Sequence, residues 1–290
     1  MPELPEVETV CRGLKKELLF SELLSVAVLV DKLRDFIPKN LAEKISGLSI
    51  SDIKRRSKYI LIELSDFHRN LDERAEFTLI IHLGMSGRLT VQQHDYQRKK
   101  HDHLLIELVL KSGVKKIMVL NDARRFGIVT LTKSSDLNSH KLFSKLGLEP
   151  LSKDFTRERL SKILEKREKN IKNTLMDSSL IVGIGNIYAS EALFRSGINP
   201  IRQAQTLSDK EMYKLHQEII KTLKDAIRAG GSTLKDFTKA NGDSGYFQYQ
   251  FKVYGREGKP CFICKTPISK IVQGGRSTFF CEKCQSLTEF

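Results

Sequence analysis

The sequence predicts an α+β protein of two domains: an N-terminal β-sandwich with flanking helices, then a C-terminal helical domain that finishes in a β-hairpin. Three observations carry this. Short apolar segments punctuated by Gly, Asp, Asn and Ser fill residues 1–132 behind a single helix, helical spacing dominates 156–255, and 256–290 hold two Cys-x-x-Cys pairs. A chain of 290 residues is long enough for two ordinary cores.

The first helix is predicted at Val7 to Phe20, where Val7, Val10, Cys11, Leu14 and Leu18 recur at helical spacing. Cys11 lies on that stripe, which suits a small buried core residue. Strands follow at Leu24 to Val30, Tyr59 to Leu64, Thr78 to His82, Arg88 to Gln92, Leu104 to Leu110, Lys116 to Leu120 and Ile128 to Leu131. Many short strands at this spacing point to a β-sandwich. From 133 to 155 the periodicity is lost, through Ser134-Ser135, Asn138-Ser139 and Glu149-Pro150, and this stretch reads as an interdomain connection.

Helices are then predicted at Arg157 to Lys166, Ile171 to Met176, Ile187 to Ser196 and Ser208 to Ala229, the last opened by a Ser208-x-x-Glu211 capping box. Gly183-Ile184-Gly185-Asn186 makes a tight turn into the third. Its backbone N–H groups suit a phosphate, and equally an ordinary turn between helices capped by Asn186. The basic run Lys162 to Lys172 reads first as a solvated helix face. In 256–290, Cys261-x-x-Cys264 and Cys281-x-x-Cys284 have the spacing of a four-cysteine zinc site, and Ile268 to Phe280, with Gly274-Gly275 at its centre, has the alternation of a hairpin. A complete thiolate set leaves no open coordination position, so one structural zinc is expected. Arg276, beside the hairpin tip, suits a phosphate or a groove, or is simply an exposed arginine.

Lys and Arg number 49 against 35 Asp and Glu, a net charge of +14. That excess favours a polyanionic partner without separating DNA from RNA, and membrane-surface proteins share it. No apolar run approaches the ~20 residues of a membrane span, and the start lacks the basic-then-apolar order of a signal peptide. A cytoplasmic protein is expected, in a compartment where paired cysteines bind metal.

The opening Met1-Pro2-Glu3-Leu4-Pro5-Glu6 places a proline second. Removal of Met1 would make Pro2 a free secondary amine, and an α-amino group titrates near ~8, so part of it is unprotonated and nucleophilic at neutral pH. Condensed with the anomeric carbon of a sugar it would give a charged iminium, an electron sink that acidifies the neighbouring proton and promotes elimination. Glu3 or Glu6 would serve as the proton-transfer partner. Alternatively, Pro2 only pre-sets φ at a helix start whose glutamates complement the dipole.

Taken in order, Met1 to Thr9, Arg55-Arg56-Ser57-Lys58-Tyr59, His82 to Gly87, Lys100-His101-Asp102-His103, Arg124-Arg125-Phe126-Gly127, Gly185 to Glu191 and the cysteine quartet closely resemble bacterial formamidopyrimidine-DNA glycosylases. The likeness runs from residue 1 to about 285, and the opening and the Gly185 to Glu191 run are its most specific parts. It implies a helix–two-turn–helix motif in the C-terminal domain and a zinc-finger β-hairpin. It also implies a monomer that removes oxidised purines from double-stranded DNA and cleaves the abasic strand by β,δ-elimination. Pro2 would attack the sugar, Glu3 would protonate the ring oxygen and Glu6 would order the site. Lys58 would contact phosphate near the lesion and assist proton transfer, and Arg276 would bind the flanking phosphates and take part in the second elimination.

By the same likeness Met85, Arg124 and Phe126 fill the vacated stack, where composition alone makes Met85 and Phe126 core residues. His101, Arg124 and Arg167 would contact DNA, Arg167 standing where the family has lysine, and Asn186 would contact phosphate. Ala123 stands where the family commonly has proline. Gly230-Gly231-Ser232-Thr233-Leu234 through Gly245-Tyr246-Phe247 matches a loop closing over an everted purine. Two other readings exist. In the endonuclease VIII type, which prefers oxidised pyrimidines, Gly usually stands at the position of Leu4 and much of that loop is missing. A non-catalytic zinc-containing DNA-binding protein would need no Pro2 amine.

Overall fold

The computed structural model describes residues 1–66, 75–232 and 247–287. The first helix, α1 (Leu4–Leu18), starts three residues before the predicted Val7. The reason is local: Glu3 and Glu6 form a reciprocal capping box, and a proline sits in the first turn, where its missing N–H costs nothing. It ends before Phe20, whose φ of 67° leaves the helical region. Val7, Val10, Leu14 and Leu18 form its buried stripe, with Cys11 among them.

The strands are β1 (Glu22–Val28), β2 (Leu48–Arg56), β3 (Tyr59–Asp66), β4 (Phe77–His82), β5 (Arg88–Gln93), β6 (Asp102–Val109), β7 (Lys115–Asn121) and β8 (Ile128–Lys133), with a short helix α2 (Leu41–Ile45) between β1 and β2. Seven of the eight strands coincide with the predicted segments. Sequence reasoning missed β2 because a bulge between Ile50 and Asp52 shifts its register, so buried Ile50 and Ile53 lie three apart and the period-two alternation breaks.

The order across the antiparallel sheet is β5-β7-β6-β1-β2-β3-β4-β8. Between β1 and β2 the pairing is the single Glu22↔Ser49 step, whereas β2 and β3 pair from Leu48↔Asp66 to Arg56↔Tyr59. The sheet is therefore nearly cut at its centre, and its halves form the layers of a sandwich. Leu104, Ile106 and Leu120 from one half join Ile60, Ile62 and Leu79 from the other, with Val10 and Leu14 of α1, in one buried core. Each such side chain contributes roughly 1.5–3 kcal/mol.

Contacts divide the chain into two compact units, Met1–Ser144 with Ala229–Tyr246, and Lys145–Arg228 with Phe247–Phe290. This division differs from boundaries at 132 and 155. Residues 229–232 join the sandwich unit because the Ser232 backbone and hydroxyl both bond to Glu6. The predicted closing loop lies, from 233 to 246, outside the described residues.

The second unit contains α3 (Arg157–Leu164), α4 (Ile171–Leu175), α5 (Asn186–Ser196), α6 (Asp209–Arg228) and the hairpin β9 (Ser269–Gln273) and β10 (Arg276–Phe280). Thr156 caps α3 through Arg159 N, and Gly197 ends α5 at φ 75°. At the start of α6, Ser208 N donates to Glu211 Oε2 at 2.8 Å, one arm of the expected box. No helix among the described residues is long and apolar enough to cross a membrane.

Candidate active site and nucleic-acid interface

The N-terminal end of α1 concentrates carboxylates without exposing them. Pro2 is buried, and Glu3 and Glu6 are 3% and 2% exposed. Glu6 works in two directions: Oε2 accepts the Glu3 N–H at 2.8 Å, and Oε1 accepts the Ser232 N–H and hydroxyl at 2.7 and 2.9 Å. Gly231 permits that approach. It holds φ at 79°, and a Cβ there would lie 3.2 Å from Glu6 Cγ. The residue expected to order the site thus fixes the backbone beside Pro2 and anchors the chain at 232.

Lys58 lies in the two-residue turn between β2 and β3, opened by Ser57 at φ 56°. Arg55, nearly buried, spans from Glu8 Oε2 at 3.0 Å to the Ser57 carbonyl at 3.0 Å, so α1 and the Lys58 turn share one clamp. Burial pushes the Glu8 carboxyl up, but bonds to Arg12 and Arg55 outweigh it and hold the group below its ordinary range. Burial, together with the charges of Lys58 and Arg34, pushes His82 down to about 4. The neutral ring can then accept the Gly84 N–H on Nδ1, at 3.0 Å.

Met85, Arg124 and Phe126 come together at the ends of two loops. Met85 and Phe126 are 38% and 44% exposed, and the Arg124 guanidinium lies 4.8 Å over the Phe126 ring. Gly84 brings the loops into contact: at φ 61°, a Cβ there would meet the Phe126 carbonyl carbon at 2.4 Å. Between them sits Asp122, fully buried and not singled out from the sequence, accepting from Ser86 Oγ at 2.6 Å and from Gly127 N at 2.8 Å. His101, half-buried at φ 71°, accepts the Asp122 N–H at its carbonyl.

In the second unit, Asn186 bonds to Ser277, the residue that follows Arg276. Asn186 Nδ2 donates to the Ser277 carbonyl at 2.8 Å, and buried Lys172 reaches the same carbonyl at 3.3 Å and Thr278 Oγ1 at 2.6 Å. Asn186 Oδ1 is buried with no hydrogen-bond partner. Gly274 and Gly275, at φ 55° and 72°, make the turn, with Asn173 against Gly274, so Arg276 projects exposed from a strand held at its base by α4 and α5. Arg167 is exposed in the connection between α3 and α4, its carbonyl accepting Gln205 N. Lys172 therefore departs from the solvated face read from the basic run. Its charge is buried, with an oxygen ligand from each of two strand residues.

The four cysteine sulfurs lie within 4.8 Å of one another, Cys261 to Cys284 at 3.8 Å and Cys264 to Cys281 at 3.4 Å. A tetrahedral ion with Zn–S near 2.3 Å requires sulfurs about 3.8 Å apart, so the set fits zinc. Gln285, fully buried, holds the second pair: its Oε1 accepts Cys281 N and its Nε2 donates to the Ile198 carbonyl. Glu191, also fully buried, receives the backbone N–H groups of Lys252, Val253 and Tyr254 at 2.9–3.0 Å and joins α5 to the segment entering the metal module.

Residues 1–129 match the family model described as the formamidopyrimidine-DNA glycosylase N-terminal domain, 146–238 its H2TH domain, and 258–287 the zinc finger found in FPG and IleRS. The four cysteines thus hold one structural zinc. The chain is 46% identical over 287 residues to the formamidopyrimidine-DNA glycosylase of Wolbachia pipientis from Culex pipiens, covering 99% of this chain and all of that one. It is 44% identical over 285 residues to that of Thioalkalivibrio sulfidiphilus, at 98% and 100% coverage. Among solved structures, a Lactococcus lactis variant enzyme in complex with Fapy-dG containing DNA superposes with a TM-score of 0.87 at 33% identity, covering 98% of this chain and 100% of that one. The same enzyme with abasic-site DNA gives 0.86 at 34%, covering 98% and 99%.

Proposed function

The chain belongs to the formamidopyrimidine-DNA glycosylase family, and from that premise we propose that it excises oxidised purines, 8-oxoguanine and formamidopyrimidines, from duplex DNA through a Schiff base on Pro2. Enzymes of this family act on damaged bases and on abasic sites. The observation that carries the finer reading is the buried start of α1, where Pro2 is followed by a buried carboxylate and the intervening backbone is pinned by Glu6.

With Met1 removed, the Pro2 nitrogen attacks C1′ of the everted nucleotide, the N-glycosyl bond breaks and the base leaves with its electron pair. Glu3 delivers a proton to the ring oxygen, the C1′–O4′ bond opens and an iminium forms. The iminium acidifies C2′; loss of that proton expels the 3′ phosphate, and a second elimination expels the 5′ phosphate. Lys58 supports proton transfer and phosphate binding from its turn, and Arg276 binds phosphates beside the lesion and assists the second elimination. Met85, Arg124 and Phe126 occupy the space the nucleotide vacates. His101, Arg167 and Asn186 hold the backbone. Zinc supplies rigidity to the Arg276 hairpin and no chemistry to the sugar. The protein acts as a cytoplasmic monomer.

Borohydride trapping on a duplex carrying one 8-oxoguanine, with mass mapping of the adduct, tests this. A covalent complex at Pro2 is expected. An adduct formed only with an oxidised pyrimidine would replace the substrate class, a reading that a Lactococcus lactis relative bound to oxidized pyrimidine containing DNA keeps in view. Tight binding without any adduct, after confirmed loss of Met1, would mean a non-catalytic DNA-binding protein.

A further inference from the structure

We propose that Asp122 is the positioning residue that makes Met85, Arg124 and Phe126 a single void-filling unit; this rests on the glycosylase reading above. Its side chain is fully buried, and each oxygen serves a different stretch of chain. Oδ1 accepts the Ser86 hydroxyl at 2.6 Å and the Arg124 N–H at 3.3 Å, and Ser86 Oγ itself accepts that N–H at 3.2 Å. Oδ2 accepts the Gly127 N–H at 2.8 Å. Met85 precedes Ser86, Phe126 precedes Gly127, and Arg124 is bonded directly. All three wedge residues are thus at most one residue from a bond to the same carboxylate.

The main chain of Asp122 extends the arrangement. Its N–H donates to the His101 carbonyl at 3.0 Å, and its carbonyl accepts from His103 Nε2 at 2.9 Å and from Arg125 N at 3.2 Å, where φ is 54°. An exposed methionine, arginine and phenylalanine on unsupported loops would lose rotamer and loop freedom on entering a base stack, and that cost opposes insertion. Two loops tied to one buried carboxylate enter as a preformed wedge. The function assigned to Asp122 is therefore to lower the cost of everting a nucleotide, and it touches neither base nor sugar.

The test compares Asp122→Ala, Asp122→Asn and Ser86→Ala with the unaltered protein on two substrates. One is a duplex containing 8-oxoguanine; the other is a single-stranded abasic oligonucleotide with no stack to fill, read by borohydride trapping. Misplacing a binding group by about 1 Å costs up to ~100-fold, so Asp122→Ala should lower kcat/KM on the duplex at least about tenfold and change single-strand trapping by less than about twofold. Asp122→Asn should fall between, because its Nδ2 can still donate to the Ser86 hydroxyl but cannot accept an N–H, so one loop loses an acceptor. Ser86→Ala should show the smallest loss. Fluorescence of 2-aminopurine opposite a tetrahydrofuran site reads insertion directly and should weaken in the same order. Equal losses on both substrates, or an unchanged fluorescence response, would overturn the assignment. If Asp122→Ala does not fold, the other two variants decide. Failure of the unaltered protein to trap on either substrate would instead sink the glycosylase reading.

Discussion

The sandwich and the metal hairpin place exposed side chains by opposite means. Met85 and Phe126 stand on loops beside a core with 25 buried members among the described residues, and one buried carboxylate, Asp122, ties those loops together. Arg276 stands on a two-stranded hairpin whose core has six buried members among the described residues, two of them metal ligands. A core that small cannot offset the entropy of ordering its own backbone, so cross-links replace burial. Zinc is one cross-link, the Glu191 carboxylate with three backbone donors is another, and the buried Lys172 ammonium a third.

Metal removal gives the largest expected contrast. A structural zinc is worth on the order of 10 kcal/mol or more, so chelation should erase hydrogen-exchange protection in β9 and β10 and weaken DNA binding through Arg276, with β3 and β4 still protected. Equal loss of protection in the sandwich would break the comparison. Next, Glu191→Ala strands three backbone N–H donors, that of Val253 buried, and should cost about 3 kcal/mol or more in chemical denaturation, with faster zinc release. A variant as stable as the parent would show that water replaces the carboxylate.

Gly84→Ala probes the sandwich side. The new methyl meets Phe126 backbone at 2.4 Å, from a φ that alanine disfavours, so a loss of about 2–3 kcal/mol is expected in thermal unfolding, with zinc content unchanged. The smallest effect concerns Glu8. Its folded pKa lies below its ordinary value of 4.5, so the unfolded chain takes up the proton first as pH falls. The contribution is present above about pH 4.5 and is lost as pH drops through the lower folded value. Part of the side chain meets solvent, which holds the effect under about 1 kcal/mol. Acid titration of Glu8→Gln should lack that component.

What was legible in the sequence was local. The α1 stripe, the Ser208 box and the Gly274-Gly275 turn are set by residues a few positions apart, the cysteine quartet by two Cys-x-x-Cys pairs whose sulfurs meet across no more than 23 positions, and each was found where expected. β2 was hidden by its bulge, and the solvated face read for Lys172 failed because Thr278 lies 106 positions away. Asp122 and Glu191 escaped notice for a related reason: a buried carboxylate is recognised by its donors, and the Ser86 donor of Asp122 lies 36 residues off and those of Glu191 61 or more. Met85 and Phe126 look like core residues by composition. Their exposure overturns that reading.

The bond from Ser232 to Glu6 has a consequence for how the chain is made. The two residues are 226 positions apart, and the whole of 145–228 belongs to the other unit. At roughly 5–20 residues per second, a ribosome that has released Glu6 needs about 10–45 s to reach Ser232. Through that interval the nascent sandwich holds its N-terminal helix without the two bonds that Ser232 gives to the capping glutamate. The N-terminal unit is thus first to emerge and cannot be first to finish, and a transcript truncated before residue 232 yields a sandwich whose Pro2 end is never fully anchored.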